Sequence, residues 1–187
     1  MKSIQEMTQG ELAAFVQSHL RKKGIDAVLS GGACVSIYSN NRYVSLDLDL
    51  VNSWFTKRRV LRETMQEIGF HEEGRHFIHP DAQFFVEFPP GPLAVGTEPV
   101  KQVDELKFPT GILRIISPTD CIKDRLAGYY HWDDLQCLEQ AALVAQANKI
   151  DLVEIERWSG TEGKLDEFRR IRNKLTRRKN NRTRVQT

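Results

Sequence analysis

Asp47-Leu48-Asp49 lies in a short stretch, residues 44–51, in which apolar and polar side chains alternate. Alternation with period two marks a half-buried strand, because residues two apart point to one face. The pattern predicts a strand over 44–51, with Leu46, Leu48 and Leu50 facing a core. Asp47 and Asp49 then project side by side from the other face. Adjacent carboxylates repel each other, and folding alone gives no reason to align them. A hard divalent cation gives one, since it takes oxygen ligands from a few carboxylates together with substrate phosphates. A bare Asp-x-Asp is better read as the solvent side of a strand. Gly31-Gly32, just upstream, shifts the balance toward a site.

The chain has 187 residues, enough for one domain with a proper core. It has no apolar run long enough to span a bilayer, and its N-terminus lacks a signal-peptide pattern. The expectation is a soluble, cytoplasmic protein with no membrane partner. Cys34, Cys121 and Cys137 are odd in number and share no metal-ligand spacing. That suits a reducing compartment and argues against a disulfide framework or a zinc site. Cys34 and Cys121 read as small core hydrophobes. The net charge of +2 hides an asymmetry: residues 164–187 carry +8 and the rest of the chain carries −6. A body of one sign with a tail of the other points to a polyanionic partner. A solvated tail without a partner is the bland alternative.

Local signals divide the chain into an α/β half and a helical half. Thr8-Gln9-Gly10-Glu11 is a capping-box pattern opening a helix that Gly24 ends. A short buried strand over 26–30 runs into Gly31-Gly32, then a helix over 33–39 and a turn at Asn40-Asn41. A helix over 56–68 closes at Gly69. Strands follow near Phe77 and over 83–88, until Pro89-Pro90-Gly91-Pro92 breaks the sheet. Pro109-Thr110-Gly111 between apolar runs signals a hairpin. Ser117-Pro118-Thr119-Asp120 starts a helix with a Ser cap, Pro at its first position and an acid in its first turn. Further helices are expected over 134–148, 151–159 and 164–179, with 180–187 disordered. The break near Ser117 defines a core over 1–116, a helical portion over 117–179 and a basic tail over 180–187.

The order strand, Gly-Gly, short helix, Asp-x-Asp strand carries chemistry. Glycines let the backbone approach a ligand, and a helix N-terminus offers free N–H groups to phosphate. A two-metal site needs a third carboxylate on a neighbouring strand. Glu87 is the candidate, because an acid amid Phe84, Phe85, Val86 and Phe88 is costly unless paired or on a metal. Asp81 is the fallback, and an ordinary exposed Glu87 remains open. In Tyr129-Tyr130-His131-Trp132, Tyr129 and Trp132 read as packing between helices, while Tyr130 and His131 stay open between packing and stacking on a base or ribose. His71, His76 and His79 lack zinc-ligand spacing and read as a strand surface.

Gly31-Gly32, Arg42, Ser45, Asp47 and Asp49 together resemble the signature of the DNA polymerase β-type nucleotidyltransferase superfamily. The likeness is nearest to its minimal bacterial branch, the abortive-infection type toxins and their relatives. Asp120-Cys121-Ile122-Lys123 and Asp133-Asp134-Leu135 take the places of that branch's later motifs, so the resemblance covers residues 25–145. It departs in the spacing from Arg42 to Ser45, which is one residue longer than that branch leads one to expect, and in His131-Trp132, which replaces a basic residue.

The resemblance implies an α/β (α+β) fold, a small mixed sheet with a C-terminal helical portion closing over it. It implies Mg²⁺, or Mn²⁺ in its place, on Asp47, Asp49 and Glu87. Ser30, Gly31 and Gly32 would hold the triphosphate, with Arg42 and Ser45 beside it. Glu87 would act as general base, Lys123 would reach the phosphates, and Asp134 or Asp133 would sit near the acceptor or the lysine. The implied activity is transfer of a nucleoside monophosphate from an NTP such as ATP to an acceptor hydroxyl, with pyrophosphate released. The tail over 164–187 suggests RNA or tRNA as acceptor, and a partner antitoxin is the protein alternative. A domain that keeps the fold and binds nucleotide or nucleic acid without turnover is the competing reading.

Overall fold

A computed structural model of the chain describes residues 2–52 and 56–176. The described chain runs α1 (Gln9–Lys22), β1 (Ala27–Ser30), α2 (Gly31–Tyr38), β2 (Asp47–Asn52) and α3 (Arg58–Gln66). It continues through β3 (His71–Glu73), β4 (His76–Ile78), β5 (Phe85–Glu87), β6 (Ala94–Val95), β7 (Glu98–Pro99), β8 (Val103–Phe108) and β9 (Gly111–Ile116). It ends with α4 (Pro118–Trp132), α5 (Leu135–Ala147), α6 (Leu152–Thr161) and α7 (Leu165–Thr176). The helix expected beyond Thr176 and the tail over 180–187 lie outside the described residues. Among the described residues, no helix is long and apolar enough to cross a membrane.

The start signals act as their chemistry requires. The Thr8 side chain accepts from the Glu11 N–H while the Glu11 carboxylate accepts from the Thr8 N–H at 2.8 Å, so α1 opens on a true capping box. The Ser117 hydroxyl accepts from the Asp120 N–H at 3.1 Å, with Pro118 in the first turn of α4. Asn40 and Asn41 turn the chain out of α2 with φ of 55° and 59°, a left-handed conformation that asparagine tolerates.

Seven strands form one mixed sheet in the order β3-β4-β5-β2-β1-β9-β8, and β6 pairs with β7 apart from it. β2–β5 and β1–β9 are parallel and the other neighbours antiparallel. The expected mixed α/β architecture is present. Neither β3 nor the β6–β7 pair was anticipated: β3 is His71-Glu72-Glu73 with no apolar residue to mark a face, and β6 and β7 have two residues each.

One face of the sheet carries the core. Register sets Phe77 beside Val86 and Val86 beside Leu48, then Leu50 beside Leu29 and Leu29 beside Ile115. These six side chains cross five strands and are fully buried. Each contributes about 1.5–3 kcal/mol by leaving water. Cys34 and Cys121 are free and fully buried, as expected of small core residues.

Two expectations fail on this framework. Leu46 does not reach the core but is 58% exposed. The ladder begins only at Asp47, beside Phe85, and Leu46 contributes its carbonyl to the Phe85 N–H at 3.1 Å. Trp132 does not pack between helices but is 76% exposed. It is the last residue of α4, and Asp133 turns left-handed right after it, so the ring projects past its neighbours. Tyr130 does pack, stacked on Trp158 at 6.0 Å with its hydroxyl 3.0 Å from Ser159 Oγ. His71 and His76 lie on strands, as read, and His79 just follows β4.

The two leucines flanking Asp47 separate the alternation from the real register. Leu48→Ala is expected to cost about 2–5 kcal/mol in urea denaturation. Leu46→Ala is expected to stay within about 0.5 kcal/mol of the wild type.

Candidate active site

The face opposite the core carries the acids. Antiparallel pairing sets Ser30 opposite Asp49, and parallel pairing sets Glu87 beside Asp49. Cross-strand neighbours share a face, so Ser30, Asp49 and Glu87 make one row, and β4 extends it with His76 opposite Glu87. Asp47 stands on the same face two residues before Asp49. The sheet thus brings Glu87 to the pair as the third carboxylate. Asp81 lies in an exposed turn before β5, where its N–H donates to His79 Nδ1 at 3.1 Å.

Gly31 and Gly32 pack against this row. Gly31 opens α2 with φ of +70°, and a Cβ there would overlap Asp49 Oδ2. Glycine is needed twice over, for the left-handed conformation and for the space the carboxylate occupies. A Cβ on Gly32 would stand 2.8 Å from Ser45 Oγ. The Ser45 hydroxyl donates to Asp47 Oδ1. Its backbone is fixed too, the N–H to Ser36 Oγ at 2.9 Å and the C=O from Gln9 Nε2 at 2.8 Å. The Gly-Gly turn, the Ser45 loop and the two aspartates therefore form one packed unit.

Its electrostatics are those of unbalanced anions. Burial, then the charges of Asp47, Glu87 and Asp124, push the Asp49 carboxyl up to about 7. Arg125 works in the opposite direction. Burial acts against the Arg125 charge, yet the adjoining Asp124 holds this guanidinium protonated more firmly than usual. Arg125 donates to Asp124 Oδ2 through Nε at 3.0 Å and to Gln140 Oε1 through Nη1 at 3.3 Å. Sequence reasoning missed Arg125. Four of its α4 neighbours, Asp120 to Lys123, are buried, so helical periodicity does not reveal which side meets the sheet.

The site suits a hard divalent cation in the chemistry of its donors, three carboxylates on one face with Asp49 carrying more negative neighbours than positive ones. As the side chains stand, no three His, Cys, Asp or Glu groups among the described residues converge to enclose a metal. Glu87 has neighbours of its own beside the pair. Its Oε2 is 3.4 Å from Arg75 Nε and 3.5 Å from His76 Nε2.

Other residues singled out from sequence are placed elsewhere. Lys123 is 5% exposed, with Nζ 2.9 Å from Asp120 Oδ1, 3.1 Å from Glu154 Oε1 and 5.9 Å from the Trp158 ring centroid. It lines a separate cleft of about 380 Å³ with Glu98, Lys101, Asp104 and Glu154. The structure thus joins Lys123 to Asp120 and not to the carboxylate row. Arg42 turns to the end of α5, donating to Gln146 Oε1 at 3.2 Å and the Leu143 carbonyl at 3.1 Å. Asp134 caps α5, accepting from the Gln136 N–H at 2.8 Å and from Cys137. The Cys137 contacts lower its carboxyl below the usual range. His131 meets Glu162 at 3.3 Å.

No protein-family model matches the chain, and no curated protein matches it either. Two solved structures do, both of the antibiotic-resistance factor ANT(2″)-Ia. Its crystal structure in complex with adenylyl-2″-tobramycin is 14% identical with a TM-score of 0.50, covering 88% of this chain and 98% of the other. Its solution structure is also 14% identical, with a TM-score of 0.47 and coverage of 86% and 91%. The fold of this chain resembles that of a nucleotidyltransferase.

Two measurements check these environments. A raised carboxyl destabilises the fold when ionised, fully above pH 7 and progressively less as pH falls toward its unfolded value. Asp49→Asn in EDTA is expected to be about 1–3 kcal/mol more stable than wild type at pH 8, with the gap closing toward pH 4. Lys123→Ala is expected to lose about 3 kcal/mol in urea denaturation, because Asp120 is left buried without its partner.

Proposed function

We propose that the protein is a divalent-metal-dependent nucleotidyltransferase, moving a nucleoside monophosphate from an NTP to an acceptor hydroxyl. The observation that carries this reading is the row Ser30–Asp49–Glu87 with Asp47 beside it, packed on the Gly31-Gly32 turn. A fold of the same kind holds adenylyl-2″-tobramycin in ANT(2″)-Ia, which supports adenylyl transfer as a use of the framework.

Each group has a role in this reaction. The N–H groups that open α2, at Gly31 and Gly32, face triphosphate oxygens, helped by the positive end of the helix. Asp47, Asp49 and Glu87 would hold Mg²⁺, or Mn²⁺, which supplies neutralisation of phosphate charge when bound. The acceptor oxygen forms the new bond to the α-phosphorus. The bond from that phosphorus to the bridging oxygen breaks, and pyrophosphate leaves with its electron pair. Glu87 takes the proton of the hydroxyl, and Arg125 offsets negative charge on the Asp49 side. Lys123, tied into its own ion pairs, supports α4 and stands apart from the reaction.

RNA is the acceptor the surface favours. α7 exposes Arg169, Arg170, Arg172 and Lys174 on its outer side. Among the described residues, Arg169 pairs with Asp166 and Lys174 with Glu139. Exposed pairs of this kind are weak, so the face can take phosphates, which give salt-dependent affinity. The likeness to abortive-infection toxins makes a partner antitoxin the protein acceptor to test beside it.

Incubation with each labelled NTP, Mg²⁺ and either total RNA or lysate protein tests the reading. Label is expected in RNA with wild type and to fall at least about 1000-fold with Asp47→Asn, as loss of a metal-ion contribution worth several kcal/mol implies. Label in protein would move the acceptor to that class. No transfer with any NTP would leave a nucleotide-binding module.

A further inference from the structure

Among the described residues, Glu87 is the carboxylate of the row that meets a guanidinium and an imidazole from the neighbouring turn. Arg75 and His76 follow Gly74 at the β3–β4 turn, and both lie within 3.5 Å of Glu87 Oε2. The base of that turn is fixed. Arg58 donates to the Arg75 carbonyl at 3.0 Å, pairs with Glu72 at 2.6 Å and lies 4.6 Å from the centre of the Phe77 ring. The Arg75 side chain is free by comparison, 77% exposed against 18% for Glu87. Its hydrogen bond goes to His76 Nε2 at 3.2 Å, while its Nε stands 3.4 Å from Glu87. An exposed ion pair of this kind is worth about 0–1 kcal/mol. A guanidinium meeting a phosphate in two-point contact does better.

We propose that Arg75 is a displaceable clamp that holds Glu87 out of the metal site until a phosphate of a nucleic-acid acceptor takes the guanidinium. The proposal rests on the nucleotidyltransferase reading and adds a condition to it. The acceptor hydroxyl must lie next to a phosphate, as at the end of an oligonucleotide. Arg75 is a positioning residue, acting through Glu87. With Arg75 on the acceptor phosphate, Glu87 is left to join Asp47 and Asp49 and faces the acceptor hydroxyl. The site is thus completed by its own substrate, which limits transfer to water in the absence of acceptor. The same chemistry disfavours an amine-bearing acceptor, since a cation cannot draw the guanidinium away.

The test separates the clamp from the reading beneath it. Mn²⁺ binding is followed by electron paramagnetic resonance without nucleotide, in wild type, Arg75→Gln, Asp47→Asn and the Arg75→Gln/Glu87→Gln double variant. Arg75→Gln is expected to bind Mn²⁺ about threefold to fivefold tighter than wild type, the factor that an exposed ion pair amounts to. The double variant is expected to lose that gain. With Mg²⁺ and ATP, wild type is expected to prefer a trinucleotide RNA over the free nucleoside as acceptor, and Arg75→Gln to lose the preference. Unchanged Mn²⁺ affinity in Arg75→Gln, with binding still lost in Asp47→Asn, overturns the clamp and leaves the metal site standing. Absence of Mn²⁺ binding in wild type overturns both.

Discussion

The pairing of Ser30 with Asp49 holds the rest of the site in place. It closes the β1–β2 ladder at the point where the chain leaves β1 for α2. It therefore brings the Gly31 backbone against the Asp49 carboxylate, and Gly32 against the serine that bonds Asp47. The same pairing turns Leu48 and Leu50 to the opposite face, where they join Leu29, Val86, Phe77 and Ile115 in the core. Slipping β2 by one residue would send Asp47 and Asp49 inward and Leu48 and Leu50 outward. Core burial thus enforces the display of acids, and the energy that aligns like charges comes from the apolar face.

The carboxylate face is electrostatically unfinished, and two cations that act on it stand on different terms. Arg125 is set in place by Asp124 and Gln140 and acts on Asp49 from the α4 side. Arg75 comes from an exposed turn at the other side and meets Glu87. The first belongs to the packed framework, and the second lies largely in solvent. Lys123 shows a third arrangement. Buried between Asp120, Glu154 and Trp158, it joins α4 to α6, and Arg157 carries the network on to Glu98 at 2.6 Å. Broken, such a network exposes buried charge to an apolar surrounding, so it resists motion.

Legibility in the sequence followed the range of the interactions. The capping box at Thr8–Glu11, the Ser117 cap, the Asn40-Asn41 turn and the hairpin at Pro109 are contacts within a few residues, and each was readable. The alternation around Asp47 gave the faces of Leu48 and Leu50 correctly but overran at Leu46, because the start of a strand depends on where a partner begins. β5, 38 residues away in the chain, sets that limit. Glu87 was readable as a candidate through its apolar neighbours. Its engagement by Arg75 and His76 was not, since that depends on the β4–β5 pairing.

The sequence alone determined the helices, the central strands, the pairing of two carboxylates on one strand face and the glycines beside them. Those are consequences of backbone period, local hydrogen bonding and steric freedom, all carried by residues close along the chain. Tertiary structure decided which cation meets which acid. It sent Arg42 to α5, Asp134 to the start of α5 and Lys123 to Asp120 and Glu154, and it set Arg125 and Arg75 around the carboxylates. Long charged side chains have no period of their own. Their partners follow from how helices and strands pack, and ion pairing is settled only when the fold is complete.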